Sequence, residues 1–221
     1  MKQAIKTLVH SAGLDDTIGR FLFVAREMMY DLRHGTTTRG NVRLQDLKIA
    51  SPNVAYGWYY EGIDPKIFAR IMNELRIEHE RFEFVDFGAG KGRVLLLASD
   101  YPFRKITGVE FSAELAGIAQ KNLRQYRSAT QRCRNLDVAC ADAMQYPIPS
   151  GPVVLFFNNP FGEEVMAPVL AGIAASAEAE PREVYIVYTH PRNEHLLAGN
   201  AAFRKVVDGP WYVVYRCEGG R

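Results

Sequence analysis

The stretch Phe84-Val85-Asp86-Phe87-Gly88-Ala89-Gly90-Lys91-Gly92-Arg93 constrains the fold more than any other part of the chain. An apolar run ends in a carboxylate, bends through glycines at alternate positions 88, 90 and 92, and enters the apolar run Val94-Leu95-Leu96-Leu97-Ala98. Glycine has no Cβ, so it accepts positive φ and lets a ligand lie close to the backbone. A strand-to-helix turn of this kind is expected to aim free N–H groups and the positive end of a helix into the crevice beyond the strand.

The pattern around this turn predicts an α/β fold. From Phe82 onward, short apolar runs alternate with helical periodicity: Ile106 to Phe111, Leu136 to Cys140, Val153 to Phe157 and Glu183 to Tyr188 read as strands. Such alternation argues for a parallel sheet with helices on both faces. The fully apolar Val153-Val154-Leu155-Phe156-Phe157 has the composition of a central buried strand. Phe203 to Val207 and Trp211 to Cys217, separated by Asp208-Gly209-Pro210, read as a hairpin. The expected architecture is a doubly wound, mostly parallel sheet of seven strands with a terminal antiparallel hairpin.

Ahead of it lies a helical leader. Leu14, Ile18, Phe21, Leu22, Ala25, Met28, Met29 and Leu32 recur at helical spacing, and the helix should stop near His34-Gly35. A second helix opens at Asp64-Pro65, a capping carboxylate followed by the residue best tolerated at the first helical position. The helix that follows the glycine turn is expected to end near Tyr101-Pro102, and Ser112 is a candidate cap for the next. Residues 1–80 thus form a leader packed on the domain of residues 81–221.

Composition narrows the class. Three cysteines, Cys133, Cys140 and Cys217, are too few and too irregularly spaced for a disulfide framework or a zinc site. They point to a reducing cytoplasm, with no metal. No stretch approaches the roughly 20 apolar residues of a membrane span, so no membrane partner is expected. A net charge of +2 gives no strong reason to expect nucleic acid as the main partner. Lys121, Arg124, Arg127, Arg132 and Arg134 form a basic strip that reads as a solvated face.

Two well-known glycine loops fit poorly. A nicotinamide fingerprint would need glycine at Arg93, and a phosphate-binding P-loop would need Lys-Ser or Lys-Thr after the last glycine. The acidic residue followed by Gly-x-Gly-x-Gly instead resembles the first motif of the class I S-adenosylmethionine-dependent methyltransferases, and the likeness spans residues 80 to 217. Their seven-stranded sheet also ends in an antiparallel strand.

That resemblance implies roles for named residues. Gly88, Ala89, Gly90 and Gly92 would cradle S-adenosylmethionine. Glu110, with Phe111 beside it, follows the turn at about the 20-residue spacing of a ribose-binding carboxylate. Its two acceptor oxygens match a pair of neighbouring hydroxyls. Asp142 would meet the adenine amino group, with Ala143 N–H on the ring, and Asp86 would orient the loop or meet the methionine ammonium. Within the aromatic cluster Tyr56, Trp58, Tyr59 and Tyr60, Tyr59 is a candidate lid over the sulfonium.

Asn158-Asn159-Pro160-Phe161 is the second specific feature. It resembles the Asp/Asn-Pro-Pro-Tyr/Phe motif of methyltransferases acting on nitrogen, with Asn159 in place of the first proline. It is more weakly similar to the Asn-Asn-x-x-Phe-Gly stretch of the histone-lysine methyltransferases without a SET domain, one residue shorter here. Asn158, Asn159 and Pro160 are therefore the candidate catalytic residues: an amide oxygen and free carbonyls can hold a nitrogen nucleophile. His190, at a strand end, is a candidate base.

The expected activity is methyl transfer to a nitrogen, with a protein amine leading and nucleic acid or a small molecule behind it. Two readings from other classes stay open at this point: a nicotinamide-dependent oxidoreductase, and an inactive nucleotide-binding module.

Overall fold

A computed structural model describes residues 14–40 and 63–217. The first helix, α1 (Leu14–His34), ends where Gly35 takes φ of +67°. Helix α2 (Pro65–Leu75) starts as its sequence dictates: the Asp64 carboxylate accepts the Lys66 N–H at 2.7 Å, and Pro65 occupies the first turn. Its periodic face buries Phe68, Ile71, Met72 and Leu75.

The alternating region follows as β1 (Glu83–Phe87), α3 (Arg93–Ala98), β2 (Lys105–Glu110), α4 (Ala113–Gln125), β3 (Leu136–Cys140), β4 (Val153–Asn158), α5 (Glu163–Ala179) and β5 (Val184–Thr189). A four-residue helix α6 (His195–Ala198) precedes the hairpin β6 (Phe203–Asp208) and β7 (Tyr212–Cys217). Ser112 caps α4 by accepting the Leu115 N–H at 3.3 Å.

Helix α3 is shorter than its sequence predicts, closing at Ala98 rather than near Tyr101. Pro102 disfavours helical geometry at Tyr101, and the chain leaves through a turn in which Tyr101 N–H meets Ala98 O at 3.0 Å. Helix α6 carries no periodicity in so short a run, and the sequence did not announce it.

The seven strands form one sheet in the order β3-β2-β1-β4-β5-β7-β6. Strands β1 to β5 pair in parallel, while β7 lies antiparallel between β5 and β6. One face packs against α2, α3 and α4, through Phe68, Leu95, Ala116 and Ala119. The other packs against α5, through Val165, Val169 and Ile173. Val153 through Phe157 are fully buried between the two layers. At about 1.5–3 kcal/mol for each large apolar side chain removed from water, such strands dominate the folding energy.

The chain leaves β1 toward β2 on one side and reaches β4 on the other, so the direction of winding reverses between β1 and β4. Ligands of open α/β sheets bind beyond the carboxyl ends of the strands at such a point. The aromatic cluster of residues 56–60, with Tyr59, lies outside the described residues.

Candidate functional site

Gly88, Gly90 and Gly92 all adopt left-handed backbone, with φ of +78°, +53° and +82°. The reason for glycine at 88 is also steric: a Cβ there would sit 2.5 Å from Cβ of Pro160. At Gly92 a Cβ would press on Ala119 of α4 at 3.2 Å.

The turn does not offer its amides to the crevice, contrary to the expectation from sequence. Gly88 and Ala89 N–H both donate to Val109 O, at 2.9 and 3.1 Å, and Gly92 N–H donates to Ala89 O at 2.8 Å. Gly90 N–H donates to Glu110 Oε2 at 2.8 Å. The helix that follows is only six residues long. The bend is closed on itself, which suits a ligand without phosphates better than a pyrophosphate.

Glu110 stands beneath this bend, 3% exposed. Its second oxygen, Oε1, accepts the Ser112 N–H at 2.9 Å. Burial pushes its pKa up, partly offset by hydrogen bonds from Ser112, Gly90 and Phe111. Asp86 is also buried, and its Oδ2 has no hydrogen-bond partner among the described residues. Burial first, and the charge of Glu110 second, raise its pKa well above the usual carboxylate range. Two close carboxylates with an unsatisfied oxygen make the region attractive to a cation.

A shallow cleft, partly open to solvent, adjoins the turn. Gly88, Phe111, Asp142 and Ala143 line it, together with Val109, Ala141, Phe161 and Val165. Asp142 Oδ1 accepts the Met144 N–H at 2.9 Å, shaping the loop after β3. The cleft opens on the α5 side of the sheet. Strand alternation puts Asp86 on the opposite face, with Phe84 and Phe156, so the two features flank the glycine turn.

Strand β4 delivers Asn158 to the same end of the sheet. Its Oδ1 accepts the Thr189 hydroxyl at 2.6 Å from the paired position on β5. Asn159 follows in left-handed backbone, φ +45°, with its Oδ1 accepting from Tyr188 Oη at 3.1 Å. Pro160 then seats against Gly88. Asp86, Glu110, the glycine turn, Asp142, Ala143 and the Asn158–Pro160 stretch are thus gathered at one end of β1, β2, β3 and β4. His190 stands one strand further, also left-handed at φ +48°, its N–H donating to Trp211 O at 2.8 Å. Thr189 and Tyr188, which fix the two asparagine amides, belong to no motif, and nothing in the sequence singled them out.

Residues 85–169 match the methyltransferase domain family. The matched stretch is that of a methyltransferase domain. Solved structures share its fold. A putative S-adenosyl-L-methionine-dependent methyltransferase from Methanococcus maripaludis is 15% identical with a TM-score of 0.51, the alignment covering 71% of this chain and 85% of that one. A ribosomal protein L11 methylase from Lactobacillus delbrueckii is 14% identical, TM-score 0.50, covering 73% and 81%. A predicted N6-adenine-specific DNA methylase from Listeria monocytogenes is 16% identical, TM-score 0.51, covering 72% and 52%. No curated protein matches the sequence at a significant level.

A methyltransferase domain uses S-adenosylmethionine, which favours this cofactor over a nicotinamide. The residues present fit that cofactor: an orphaned buried carboxylate oxygen suits its ammonium, and the largely apolar lining of the adjoining cleft suits the face of a base. No group of three or more metal-ligating side chains occurs among the described residues, and no helix among them is long and apolar enough to cross a membrane.

Proposed function

We propose that this methyltransferase transfers its methyl group to a nitrogen, with a protein amine as the acceptor. The observation that carries the reading is the seating of Pro160 on Gly88, which sets the Asn158-Asn159 peptide beside the cofactor turn. The similarity of Asn158-Asn159-Pro160-Phe161-Gly162 to nitrogen-acceptor motifs supports the choice of nucleophile.

In this reading Asp86 meets the methionine ammonium, the adenine enters the cleft bounded by Phe111, Asp142 and Ala143, and Glu110 takes a ribose hydroxyl. Glu110 already accepts the N–H groups of Gly90, Ser112 and Phe111, and a carboxylate has about four acceptor directions, so capacity for a ribose hydroxyl remains. Tyr59 belongs to the same proposal as a lid. The cofactor supplies an electrophilic methyl on a sulfonium. With the cofactor held by these residues, the chain would align the nucleophile with the methyl group, S-adenosylhomocysteine would be the product, and the amine proton would pass to solvent. Alignment alone can contribute about 7–11 kcal/mol.

The asparagine amides do the orienting. With Oδ1 of Asn158 held by Thr189, the amide plane is fixed and a second lone pair of that oxygen can accept from the amine. Pro160 has no N–H, so the preceding carbonyls face no competing donor from it. A lysine amine must first lose a proton, costing about 4–5 kcal/mol at neutral pH from a reference pKa near 10.4.

One observation favours a second reading, a planar heterocyclic nitrogen. Trp211 is 60% exposed at the same end of the sheet, its ring centroid 6.3 Å from that of His190. Such a surface stacks on a flat acceptor. We place the enzyme in the cytoplasm, where its free thiols Cys133, Cys140 and Cys217 would persist.

Labelled methyl transfer into a size-fractionated cell extract tests the choice. Label in protein, lost with Asn158→Ala, is the expected result. Label in RNA or metabolites instead would overturn the amine reading while leaving methyl transfer intact.

A further inference from the structure

Arg93 opens α3 immediately after the glycine turn, yet it is 1% exposed and every partner it finds lies in the segment 27–38. Its Nη1 donates to Thr38 Oγ1 at 2.8 Å, and its Nη2 forms an ion pair with Glu27. The guanidinium lies 3.9 Å from Asp31 Oδ1 and 3.8 Å from the centre of the Tyr30 ring. Glu27 and Asp31 are themselves buried. A charge so enclosed is tolerable only while its partners stay in place, because an uncompensated buried charge is strongly destabilising.

Asp31 in turn organises the strap that follows α1. Its carboxylate accepts from the hydroxyls of Thr36 and Thr38 and from the N–H groups of Thr38 and Arg39, all between 2.8 and 2.9 Å. The strap then returns to the turn from its other side. Lys91 Nζ donates to Arg39 O at 2.7 Å. Asn122 of α4 bridges the two, accepting Thr37 N–H at 2.9 Å and donating to Lys91 O at 2.9 Å. Residues 91 and 93, the flanks of Gly92, are therefore both held by the leader.

We propose that the segment 27–39 is a working part of the cofactor site: with Arg93 as the positioning residue, it holds the glycine turn in its binding shape, so that leader docking and cofactor affinity are a single equilibrium. The proposal rests on the turn being the cofactor site. Coupling of this kind is reciprocal, since whatever the leader contributes to cofactor affinity the cofactor must return as leader stability. It also gives the leader a route to the chemistry without touching substrate: an acceptor or partner that pulls on α1 would release cofactor or product.

The test uses the full chain and S-adenosylhomocysteine. Saturating ligand should slow hydrogen exchange at the amides of Thr36, Thr38 and Arg39. Asp31→Asn should weaken S-adenosylhomocysteine binding by calorimetry about tenfold, and Arg93→Lys, which keeps the charge but loses the fork, should weaken it less. Tyr215→Phe, which removes a 3.0 Å bond to Glu194 on the β7 side of the sheet, controls for lost stability: it should lower the melting temperature and leave affinity unchanged. If Asp31→Asn fails to fold, Thr38→Val takes its place with the same expectation. Native affinity in a folded Asp31→Asn or Thr38→Val variant, or exchange at residues 36–39 indifferent to ligand, overturns the coupling alone. Failure of the native chain to bind S-adenosylhomocysteine overturns the site and the coupling together.

Discussion

Pro160 presses so closely on Gly88 that a Cβ on the glycine would lie 2.5 Å from Cβ of the proline. The two motifs that stand out in the sequence, Gly88–Gly92 and Asn158–Phe161, are thus one contact in space. The turn at the end of β1 and the loop at the end of β4 fix each other, and with them the relation between cofactor and acceptor.

Gly88→Ala is the sharpest probe of that contact. The new methyl meets Pro160, and φ of +78° is itself unfavourable for alanine. A loss of about 1–3 kcal/mol in stability is expected, with cofactor affinity falling in parallel. Thermal melting and calorimetry with S-adenosylhomocysteine measure both, and an unaltered variant would refute the packing.

Asp86 makes cofactor binding pH-dependent. Its folded pKa is raised by burial and by Glu110, so in the window above the ordinary value of 3.8 the free protein holds a proton that the unfolded chain has lost. Stability of the free protein therefore falls as pH rises through that window. Pairing with an ammonium lowers the pKa again, so binding should release a proton and tighten as pH rises. Calorimetry in buffers of differing ionisation enthalpy should detect that proton, and Asp86→Asn should abolish its release while weakening binding.

Asp31 has the opposite sign. Burial pushes its pKa up, but the hydrogen bonds from Thr38, Arg39 and Thr36 win and hold it below 3.8. Its contribution is present above the unfolded value and is lost as pH falls through the lowered folded one. Acid titration of unfolding should show a limb below about pH 4 that Asp31→Asn flattens; a variant with the native acid profile would count against the network.

Asn158→Ala should lower turnover by more than it lowers cofactor affinity. Thr189→Val, which frees the amide by removing its 2.6 Å partner, should reproduce a smaller version of the same split. The reverse order, affinity lost first, would move Asn158 from the acceptor to the cofactor.

Much of this was legible in the sequence because the fold is locally consistent. The apolar run at Val153–Phe157, the Asp64-Pro65 cap and the glycine spacing each state their own structure through composition and period. What was hidden depends on distant pairing. Arg93 reads as an ordinary helix-opening arginine, and only the fold reveals that Glu27 and Asp31 come to it across more than sixty residues. Thr189 meets Asn158 because β5 pairs with β4 in that register. The occupied amides of the glycine turn were likewise unreadable, since their acceptors, Val109 O and the Glu110 carboxylate, are brought in by β2. The helical period of α1 was plain, while Val24, Met29 and Leu32 on it are exposed. Periodicity marks an apolar stripe but does not say what covers it.

The central claim is that the closed glycine bend and its flanking carboxylates receive a cationic nucleoside without phosphates. Equilibrium titration of the native chain with S-adenosylhomocysteine and, separately, with a nicotinamide dinucleotide addresses it most directly. Saturable binding of the first, abolished by Gly90→Val and weakened by Glu110→Ala, with none of the second, is the predicted result. Binding of the dinucleotide, or S-adenosylhomocysteine affinity untouched by Gly90→Val, would contradict it.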